Sequence, residues 1–327
     1  MHSFARSALG ALALAALIAT PGAAQTYPSK PVTLIVPLAA GTGMDALARL
    51  YAEPLGQALG KPVVVENRPG AGLMLGTQAI AQAAPDGHTV GISTASPLAV
   101  SPVLYKKLNY DPAKDFVPIY LYVKSPFVLI VNPDLPAKTV PELIQYAKAS
   151  ANPLPYSTPG VGVMQHLSME FMAQRYGLKL THVPYRNTGQ AITDIAAGHV
   201  QLGFAEAGAS LPLIREGKVR ALAVSSLTRL PTLPDVLPFS EAAGAPDFEA
   251  VSWHVLFAPG GTPKEIVDRL HGEMKRIMST PEMKKRAADI GLLPIDSPSV
   301  DEIRRYITAE QDKWGSLVRK LGLEGTQ

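Results

Sequence analysis

The chain has 327 residues, of which 47% are hydrophobic and 17% charged, and its formal net charge is +3. This length suits one large domain or two ordinary ones, and the apolar share excludes wholesale disorder. The near-neutral charge, without any run of Lys and Arg, excludes a nucleic-acid footprint, and the absence of Cys excludes disulfides, thiolate nucleophiles and Cys-based metal sites.

The segment 1–24 predicts a secretory signal peptide. Arg6 supplies a positive start, an apolar run covers residues 8–19, and the small residues at 22–24 suit cleavage after Ala24. A membrane anchor is the alternative, but the apolar run is shorter than the ~20 residues that a span needs. We therefore expect a protein exported to the periplasm, with cleavage near Ala24.

The next part of the chain alternates short β-branched segments with helical ones. The pattern predicts strands at 32–36, 63–66 and 89–92 and helices at 46–59 and 76–83, and Pro54 is expected to kink or shorten the first helix. This βαβαβ order predicts a parallel sheet with helical crossovers. The alternation is lost near residues 109–118, and an extended stretch follows at 119–131.

A second α/β set follows. Predicted helices at 140–149, 164–176, 191–197 and near 212–216 alternate with strands at 155–157, 180–183, 200–204 and 221–224. A Pro-rich passage at 230–246 precedes a strand at 251–258 and helices at 263–278, 281–290 and 300–321. One strand is too little for a third sheet, so this tail is expected to complete the first lobe. We expect two lobes, 25–124 with 228–327 and 125–227, each a mainly parallel sheet flanked by helices.

Three Gly-rich loops connect a predicted strand to a predicted helix: the first loop (37–45), the second loop (67–76) and the third loop (157–163). Each alone is compatible with an ordinary tight turn. In an open α/β sheet, however, ligands bind at the carboxyl ends of the strands, where all three loops lie. Helix N-termini that begin there present N–H groups to anions. The three loops together therefore predict a ligand-binding site.

Sequence signatures of catalysis are weak. Gly41 begins a G-x-G-x-x-A pattern and Glu66 ends the next strand, which is the arrangement of a dinucleotide fingerprint. The glycine does not follow its strand directly, however, and nicotinamide cofactors are not expected outside the cytoplasm. The chain has no H-E-x-x-H metal motif, no G-x-S-x-G nucleophile elbow and no defensible acid–base carboxylate pair. We therefore expect no enzymatic activity, no cofactor and no metal.

Many segments of the chain resemble the Bug receptors, the extracytoplasmic solute-binding proteins of tripartite tricarboxylate transporters. They are residues 27–37, then Gly41, Asp45 and Arg49, and then 65–72 (VENRPGAG), 84–87 (APDG), 110–116, 160–167, 182–185 (HVPY), 222–224, 252–253 and 258–263. The likeness covers essentially the whole chain after residue 24, in order, and is far more specific than any single Gly-rich turn. It implies a type II periplasmic binding protein whose two α/β lobes close on a ligand.

The resemblance implies that small carboxylates are held by backbone N–H groups and waters at the facing edges of the lobes. The predicted ligand-binding residues of the first lobe are Leu38, Ala40, Gly41, Thr42, Gly43, Asp45, Gly72, Leu73, Met74, Thr94 and Ser96. Those of the second lobe are Ser157, Gly160, Gly162, Val163, His166, Tyr185, Asn187, Ala205 and Glu206. A capping or packing role is the alternative for His166, and Trp253 and Trp314 are expected in the core.

Several positions depart from the family pattern of small or polar residues: Thr42, Leu73, Met74, Val163 and Asn187. Because three of these side chains are apolar, a polar ligand would leave hydroxyl groups unpaired against them. We therefore expect a carboxylate with an apolar or aromatic body, and not citrate or an amino acid. The alternative is that these side chains pack beneath the loops and never meet the ligand.

The function implied by the resemblance is capture of a small organic carboxylate and its delivery to the permease subunits of a membrane transporter. We expect a monomeric receptor that performs no chemistry. One alternative is a receptor of the same fold that presents its ligand to a sensor kinase, which the sequence does not separate from transport. A secreted α/β hydrolase is the other alternative, and the missing elbow and metal motifs oppose it.

Overall fold

The computed structural model describes residues 27–327, so the signal peptide predicted for residues 1–24 lies outside the described residues. The strands are β1 (Val32–Val36), β2 (Val63–Asn67), β3 (Thr89–Thr94), β4 (Phe116–Ser125), β5 (Phe127–Val131), β6 (Leu154–Thr158), β7 (Leu180–Pro184), β8 (Leu202–Glu206), β9 (Arg220–Val224), β10 (Ser252–Pro259) and β11 (Leu293–Pro294). The helices are α1 (Gly43–Leu59), α2 (Met74–Ala81), α3 (Ser101–Leu104), α4 (Val140–Ala149), α5 (Met164–Tyr176), α6 (Thr188–Ala196), α7 (Ala207–Arg215), α8 (Phe239–Ala242), α9 (Lys264–Met278), α10 (Pro281–Asp289) and α11 (Val300–Lys320). Within residues 27–327, no helix has the length and apolar character needed to cross a membrane.

Two sheets form the framework. The first has the order β11-β4-β10-β3-β1-β2, in which β1 to β4 share one direction and β10 and β11 run against it. The second has the order β7-β6-β8-β5-β9, in which β5 alone opposes the others. Most strands of each sheet therefore run the same way, and the predicted architecture of two mainly parallel sheets flanked by helices is confirmed.

The chain passes between the sheets along two adjacent segments. It leaves β4 through Pro126, which has no N–H to continue a ladder, and it returns between Ser225 and Ala250. Ser225 donates its N–H to the Phe127 carbonyl at 2.8 Å, and its hydroxyl oxygen accepts the Phe127 N–H at 2.9 Å. The Ala250 N–H donates to the Ser225 carbonyl at 3.0 Å. The sheets are thus joined by a paired connection, a geometry that suits hinge motion.

Apolar side chains collect in three clusters. One packs the first sheet against α1, α9 and α10, one packs the second sheet against α6 and α7, and the largest is shared by both sheets and α11. Trp253 and Trp314 are buried in the shared cluster, and both indole N–H groups donate to the Glu310 carboxylate, at 3.1 and 2.9 Å. The expectation that both tryptophans belong to the core is confirmed.

Most predicted elements are present, with shifted limits. Helix α1 begins at Gly43, before the predicted residue 46, because Thr42 caps it, and it continues through Pro54 to Leu59, so the expected shortening is wrong. The extended stretch starts at Phe116 and is divided at Pro126. A π-helical turn at Ser96–Val100, which runs into α3, was not predicted.

Candidate ligand-binding site

Elements of the two lobes come together at a boundary that we call the cleft. Gly162, in the third loop, lies so close to α3 that a Cβ atom added to it would be 2.0 Å from Leu104 Cδ2. A Cβ atom on Gly208, in the first turn of α7, would lie 2.8 Å from the carbonyl oxygen of Ile290, which follows α10. Gly162 and Gly208 follow strands β6 and β8 of the second sheet, whereas α3 and Ile290 belong to the first lobe, so these contacts bring the third loop and the start of α7 against the first lobe.

The first loop is organised by Asp45, in the first turn of α1. Its buried carboxylate accepts the Gly41 N–H at 2.9 Å and the Asn67 side-chain amide at 2.9 Å, and it pairs with Arg49 at 3.0 Å. Burial alone would raise the pKa of Asp45, but the hydrogen bonds from Arg49, Gly41 and Asn67 outweigh burial and lower it. Asp45 therefore stays ionised at neutral pH, and its oxygens are committed to shaping the loop.

Gly41 shows why the first loop needs glycine. Its φ of +85° lies in the left-handed region, and its N–H is turned back towards Asp45. Gly43 has an ordinary helical backbone, and a Cβ atom there would meet only Ile290 Cδ1, at 3.8 Å. The first glycine is thus required by the turn, whereas the second leaves space free beside the first turn of α1.

The second loop carries stored backbone strain. Four successive residues have positive φ: Gly70 (136°), Ala71 (47°), Gly72 (62°) and Leu73 (78°). A residue with a side chain pays roughly 1–3 kcal/mol for a sparsely populated conformation, and such residues cluster at ligand sites. Gly76 anchors the loop, since a Cβ atom there would be 2.7 Å from Pro37 Cα of the first loop. Leu73 and Met74 are half-buried.

The third loop rests on a pair of stacked imidazoles. The Gly162 N–H donates to His166 Nδ1 at 3.1 Å, and His182 Nε2 lies 2.6 Å from Thr158 Oγ1 at the other end of the loop. The ring centroids of His166 and His182 are 4.1 Å apart. Burial lowers the pKa of His166 to about 3 and that of His182 to about 4. Both rings are therefore neutral at neutral pH, and the predicted histidine is a support of the loop.

The helices that follow strands at the cleft differ among themselves in their capping. Thr42 and Asn187 cap α1 and α6, which follow β1 and β7. Helices α2, α5 and α7 follow strands β2, β6 and β8, and none of the three has a side-chain cap. An uncapped first turn leaves N–H donors and a partial positive charge for another partner. Such helix ends occur in both lobes.

Some predicted site residues are engaged within their own lobe. Asn187 caps α6 by accepting the Gln190 N–H at 2.9 Å, and the Tyr185 hydroxyl donates to Asp194 at 2.7 Å. The Ser157 hydroxyl donates to the Ala191 carbonyl at 3.2 Å. Thr94, Ser96, Gly162, His166 and Ala205 are buried, as is Asp45. A direct contact with ligand stays a prediction for each of these residues.

Other predicted site residues present surface at the loops. The exposed ones are Ala40, Gly41, Gly43, Gly72 and Glu206. The half-buried ones are Leu38, Thr42, Leu73, Met74, Gly160 and Val163. Glu206 ends β8 and directly precedes α7, and its side chain is exposed to solvent. The lobes thus offer mainly backbone, small side chains and apolar groups.

Residues that support the loops were missed by sequence reasoning. Asn67 and Thr158 each end a strand at the cleft edge, so the rule that found the loops also points to them. His182 pairs with Tyr156 across β6 and β7, a register that no local pattern encodes. Leu104 and Ile290 meet the opposite lobe only because the chain folds back, and the sequence carries no signal for either contact.

Two α/β lobes that face each other across a loop-lined cleft define the class of two-lobe solute-binding proteins. Residues 47–323 match the family model described as tripartite tricarboxylate transporter family receptor. The chain therefore belongs to this family of periplasmic binding proteins, which bind small carboxylates and work with tripartite transporters. The family is one of receptors without enzymatic activity, and this protein is accordingly a solute-binding receptor.

Similar proteins agree with this assignment. Protein BugT of Bordetella pertussis is 34% identical over 315 residues, which cover 96% of each chain. The structure of R. palustris Rpa4515 with adipate shares 33% identity at a TM-score of 0.80 and covers 90% of this chain and 98% of its own. MatC from Rhodopseudomonas palustris with bound malate shares 32% identity at a TM-score of 0.76, over 89% of this chain and 100% of its own. The resemblance to Bug receptors is confirmed.

Proposed function

We propose that the cleft binds the carboxylate of a small organic acid through backbone N–H groups of the loops predicted from the sequence. The uncapped N-termini of α5 and α7 in one lobe and of α2 in the other carry this proposal, since no side chain caps their first turns. An anion can be held by such helix ends without an Arg side chain. The twenty predicted residues form the walls of this site.

We propose further that the body of the acid is apolar, either a long aliphatic chain or an aromatic ring. Leu73, Met74 and Val163 are only half-buried in the cleft loops. Their apolar side chains would leave the hydroxyl groups of a polar ligand without hydrogen-bond partners. The carboxylate of Glu206, exposed next to α7, adds like-charge repulsion against a ligand with several negative charges. The relative crystallised with adipate supports an aliphatic body, whereas the relative with malate shows that shorter hydroxy acids suit some family members.

The cellular setting that we propose follows the sequence expectation. The protein is exported with a signal peptide cleaved near Ala24, works in the periplasm as a monomer, and delivers its ligand to the permease subunits of a tripartite transporter. Residues 25–124 and 228–327 form one lobe and residues 125–227 the other. The connection through Pro126 and Ser225 supports these limits, because both lie where the chain leaves one sheet for the other.

The ligand class is tested by native mass spectrometry of the purified protein followed by a thermal-shift panel of organic acids. A ligand at a hundredfold excess over its Kd raises the free energy of unfolding by about 2.7 kcal/mol. We expect adipate or an aromatic acid to raise the melting temperature more than citrate or malate. A larger shift with citrate would contradict the apolar-body proposal, and no shift with any acid would contradict carboxylate binding.

A pair of substitutions sharpens the panel. Leu73→Ser should weaken binding of the preferred apolar acid while sparing malate, because the new hydroxyl can pair with polar ligands. Leu75→Ser is the matched control, since Leu75 follows closely in the chain but has 53% of its surface exposed. Equal behaviour of the two variants would place Leu73 outside the ligand contact.

A further inference from the structure

Three aromatic rings form a cluster beneath the third loop. The ring centroid of His182 is 5.1 Å from that of Tyr156 and 4.1 Å from that of His166, and the Tyr156 and His166 centroids are 6.4 Å apart, so the three rings form a triangle. The Tyr156 hydroxyl donates to the carboxylate of Glu170 on α5. The cluster therefore links strands β6 and β7 to the first turn of α5, the helix that begins directly after the third loop.

Hydrogen bonds fix the protonation of His166. Its Nδ1 atom accepts the Gly162 N–H at 3.1 Å, and an imidazole nitrogen that accepts cannot also carry a proton. The neutral ring must then hold its proton on Nε2. Protonation of Nδ1 would turn this acceptor into a second donor that opposes the Gly162 N–H, so the bond exists only with the neutral ring.

The other end of the loop is held through Thr158. Its hydroxyl donates to the Gly160 carbonyl at 2.8 Å and accepts the Gly160 N–H at 3.3 Å. Its remaining lone pair lies 2.6 Å from His182 Nε2, which completes the bonding capacity of the hydroxyl if His182 donates. Two neighbouring imidazoles thus hold the two glycines of the loop, one as an acceptor and one as a donor.

The surroundings keep both rings neutral. His166 is 5% exposed, and the Glu170 carboxylate beside the rings accepts the hydroxyl proton of Tyr156. Two imidazolium rings stacked at 4.1 Å would repel each other in a site with little water. Burial lowers both pKa values, and the neighbouring His182 ring adds to the lowering at His166, which agrees with the hydrogen-bond pattern.

We propose that His166 and His182 are positioning residues for ligand binding, which hold Gly160 and Gly162 at the cleft as a neutral acceptor and a neutral donor. This inference rests on the proposed function for its consequence, because the loop that they hold leads to the uncapped N-terminus of α5. It differs from a capping or packing role for His166 alone, because both histidines and Thr158 act together to hold the loop. The side chains act through the loop and need not touch the ligand.

The test separates acceptor and donor geometry from mere filling of space. His166→Asn places an amide oxygen near the position of Nδ1, and His182→Gln places an amide N–H near the position of Nε2. His166→Leu and His182→Leu remove the hydrogen-bonding group. His271→Leu is the matched control, because His271 also packs against a tyrosine ring and bonds a backbone carbonyl, but on α9 of the other lobe.

Two quantities are measured at pH 7 for each variant: hydrogen-exchange protection of the Gly160 and Gly162 amides without ligand, and calorimetric affinity for adipate. We expect His166→Leu and His182→Leu, the two cleft Leu variants, each to lower the amide protection and the affinity about tenfold, which corresponds to one net hydrogen bond. His166→Asn and His182→Gln should recover most of both quantities. Unchanged amide protection in both cleft Leu variants would overturn the proposal, as would equal losses in the Leu and amide variants.

The amide protection is decisive by itself, because it needs no ligand. If no acid in the panel binds the wild-type protein, the proposed function fails, while lost and rescued protection would still establish the positioning role. If adipate binds wild type and the cleft Leu variants equally, the link from this pair to the ligand is wrong. A loss of protection at Gly162 in His271→Leu would also contradict the proposal, since it would show a general loosening of the fold.

Discussion

The first and third loops occupy matching places at the cleft but are held by different chemistry. In the first loop, an ionised Asp45 gathers a backbone N–H, an amide and the Arg49 guanidinium. In the third loop, neutral His166 and His182 do the same work with ring nitrogens. The comparison shows that the loops of a backbone-lined anion site can be held by a charged side chain in one lobe and by neutral side chains in the other.

The difference has an electrostatic consequence. The negative charge of Asp45 is neutralised locally by Arg49, whose side chain is 52% exposed, while the carboxylate is only 4% exposed. The imidazole pair adds no charge, so the helix end after the third loop keeps its full partial positive charge for a ligand. Acidification should therefore disturb the two loops in separate pH ranges.

The largest effect is expected at Asp45. Asp45→Ala leaves the Gly41 N–H and the Asn67 amide without their buried acceptor and should lower the free energy of unfolding by about 3 kcal/mol. Urea unfolding measures it, and Asp45→Asn should lose less, because an amide oxygen still accepts. An unchanged midpoint for Asp45→Ala would mean that the network does not support the fold.

A second prediction concerns the contact between the lobes. Gly162→Ala combines a φ of +74° with a Cβ atom 2.0 Å from Leu104 Cδ2, and should cost about 2 kcal/mol. Gly177→Ala is the matched control, since its φ is +65° and nothing lies within 4 Å of its Cβ position. Chemical denaturation of both variants isolates the Leu104 contact as their difference. Equal losses would show that the lobes do not meet there in solution.

The third prediction is the pH response of the imidazole pair. A histidine whose native pKa is lowered contributes stability that is fully present above its unfolded value, near 6.5, and is lost as the pH falls towards about 3 for His166 and about 4 for His182. From pH 6.5 to 5.5 each ring should cost about 1 kcal/mol. In His166→Asn, the free energy of unfolding should fall less over this range, because the contribution of His166 is removed. If it fell as steeply in this variant as in the wild-type protein, that would contradict a buried neutral His166.

Asp45 should lose its stabilising effect only at a lower pH than the pH 6.5 to 5.5 window used for the imidazole pair. Because its native pKa is lowered below its ordinary value of 3.8, its stabilisation is present above that value and is lost only in more acidic solution. Between pH 6.5 and 5.5, Asp45→Asn should therefore show the same decline as the wild-type protein. A changed slope in this window would mean that Asp45 titrates far from the pKa that its contacts support.

The smallest effect is expected at Arg49. Its guanidinium is half exposed, so Arg49→Met should cost about 0.5 kcal/mol, and less at high salt. Denaturation at low and at 1 M salt measures this, with Asp45→Ala as the reference. A loss equal to that of Asp45→Ala would show that the ion pair, and not the backbone acceptor, holds the first loop.

Much of the fold was predictable because local patterns agree with it. Helices α4 and α5 have their predicted limits, since each shows a continuous helical pattern and follows a clear strand or turn. The turn at Ser96–Val100 and α3 was missed because Pro97 and Pro102 count against a helix, yet both stand in a first turn, where a missing N–H costs nothing.

The candidate site was predictable to the level of its loops. The Gly-rich turns lie at the carboxyl ends of strands, which follows from βα topology alone. What holds the loops depends on partners far apart in the chain, such as Asp45 with Asn67 and His166 with His182. No sequence pattern encodes these pairings, because they arise from strand register and from how a helix packs on its sheet.

The most direct test of the account is a calorimetric titration of Gly43→Val beside wild type, with the acid that gives the largest thermal shift. The variant keeps the fold, since a Cβ atom at Gly43 meets only Ile290 at 3.8 Å, but its side chain covers the N-terminus of α1. Gly272→Val on α9, where nothing lies within 4 Å, is the control. We predict one-to-one binding for wild type and the control and none for Gly43→Val. Equal affinity in all three proteins would contradict a site built from the backbone of the first loop.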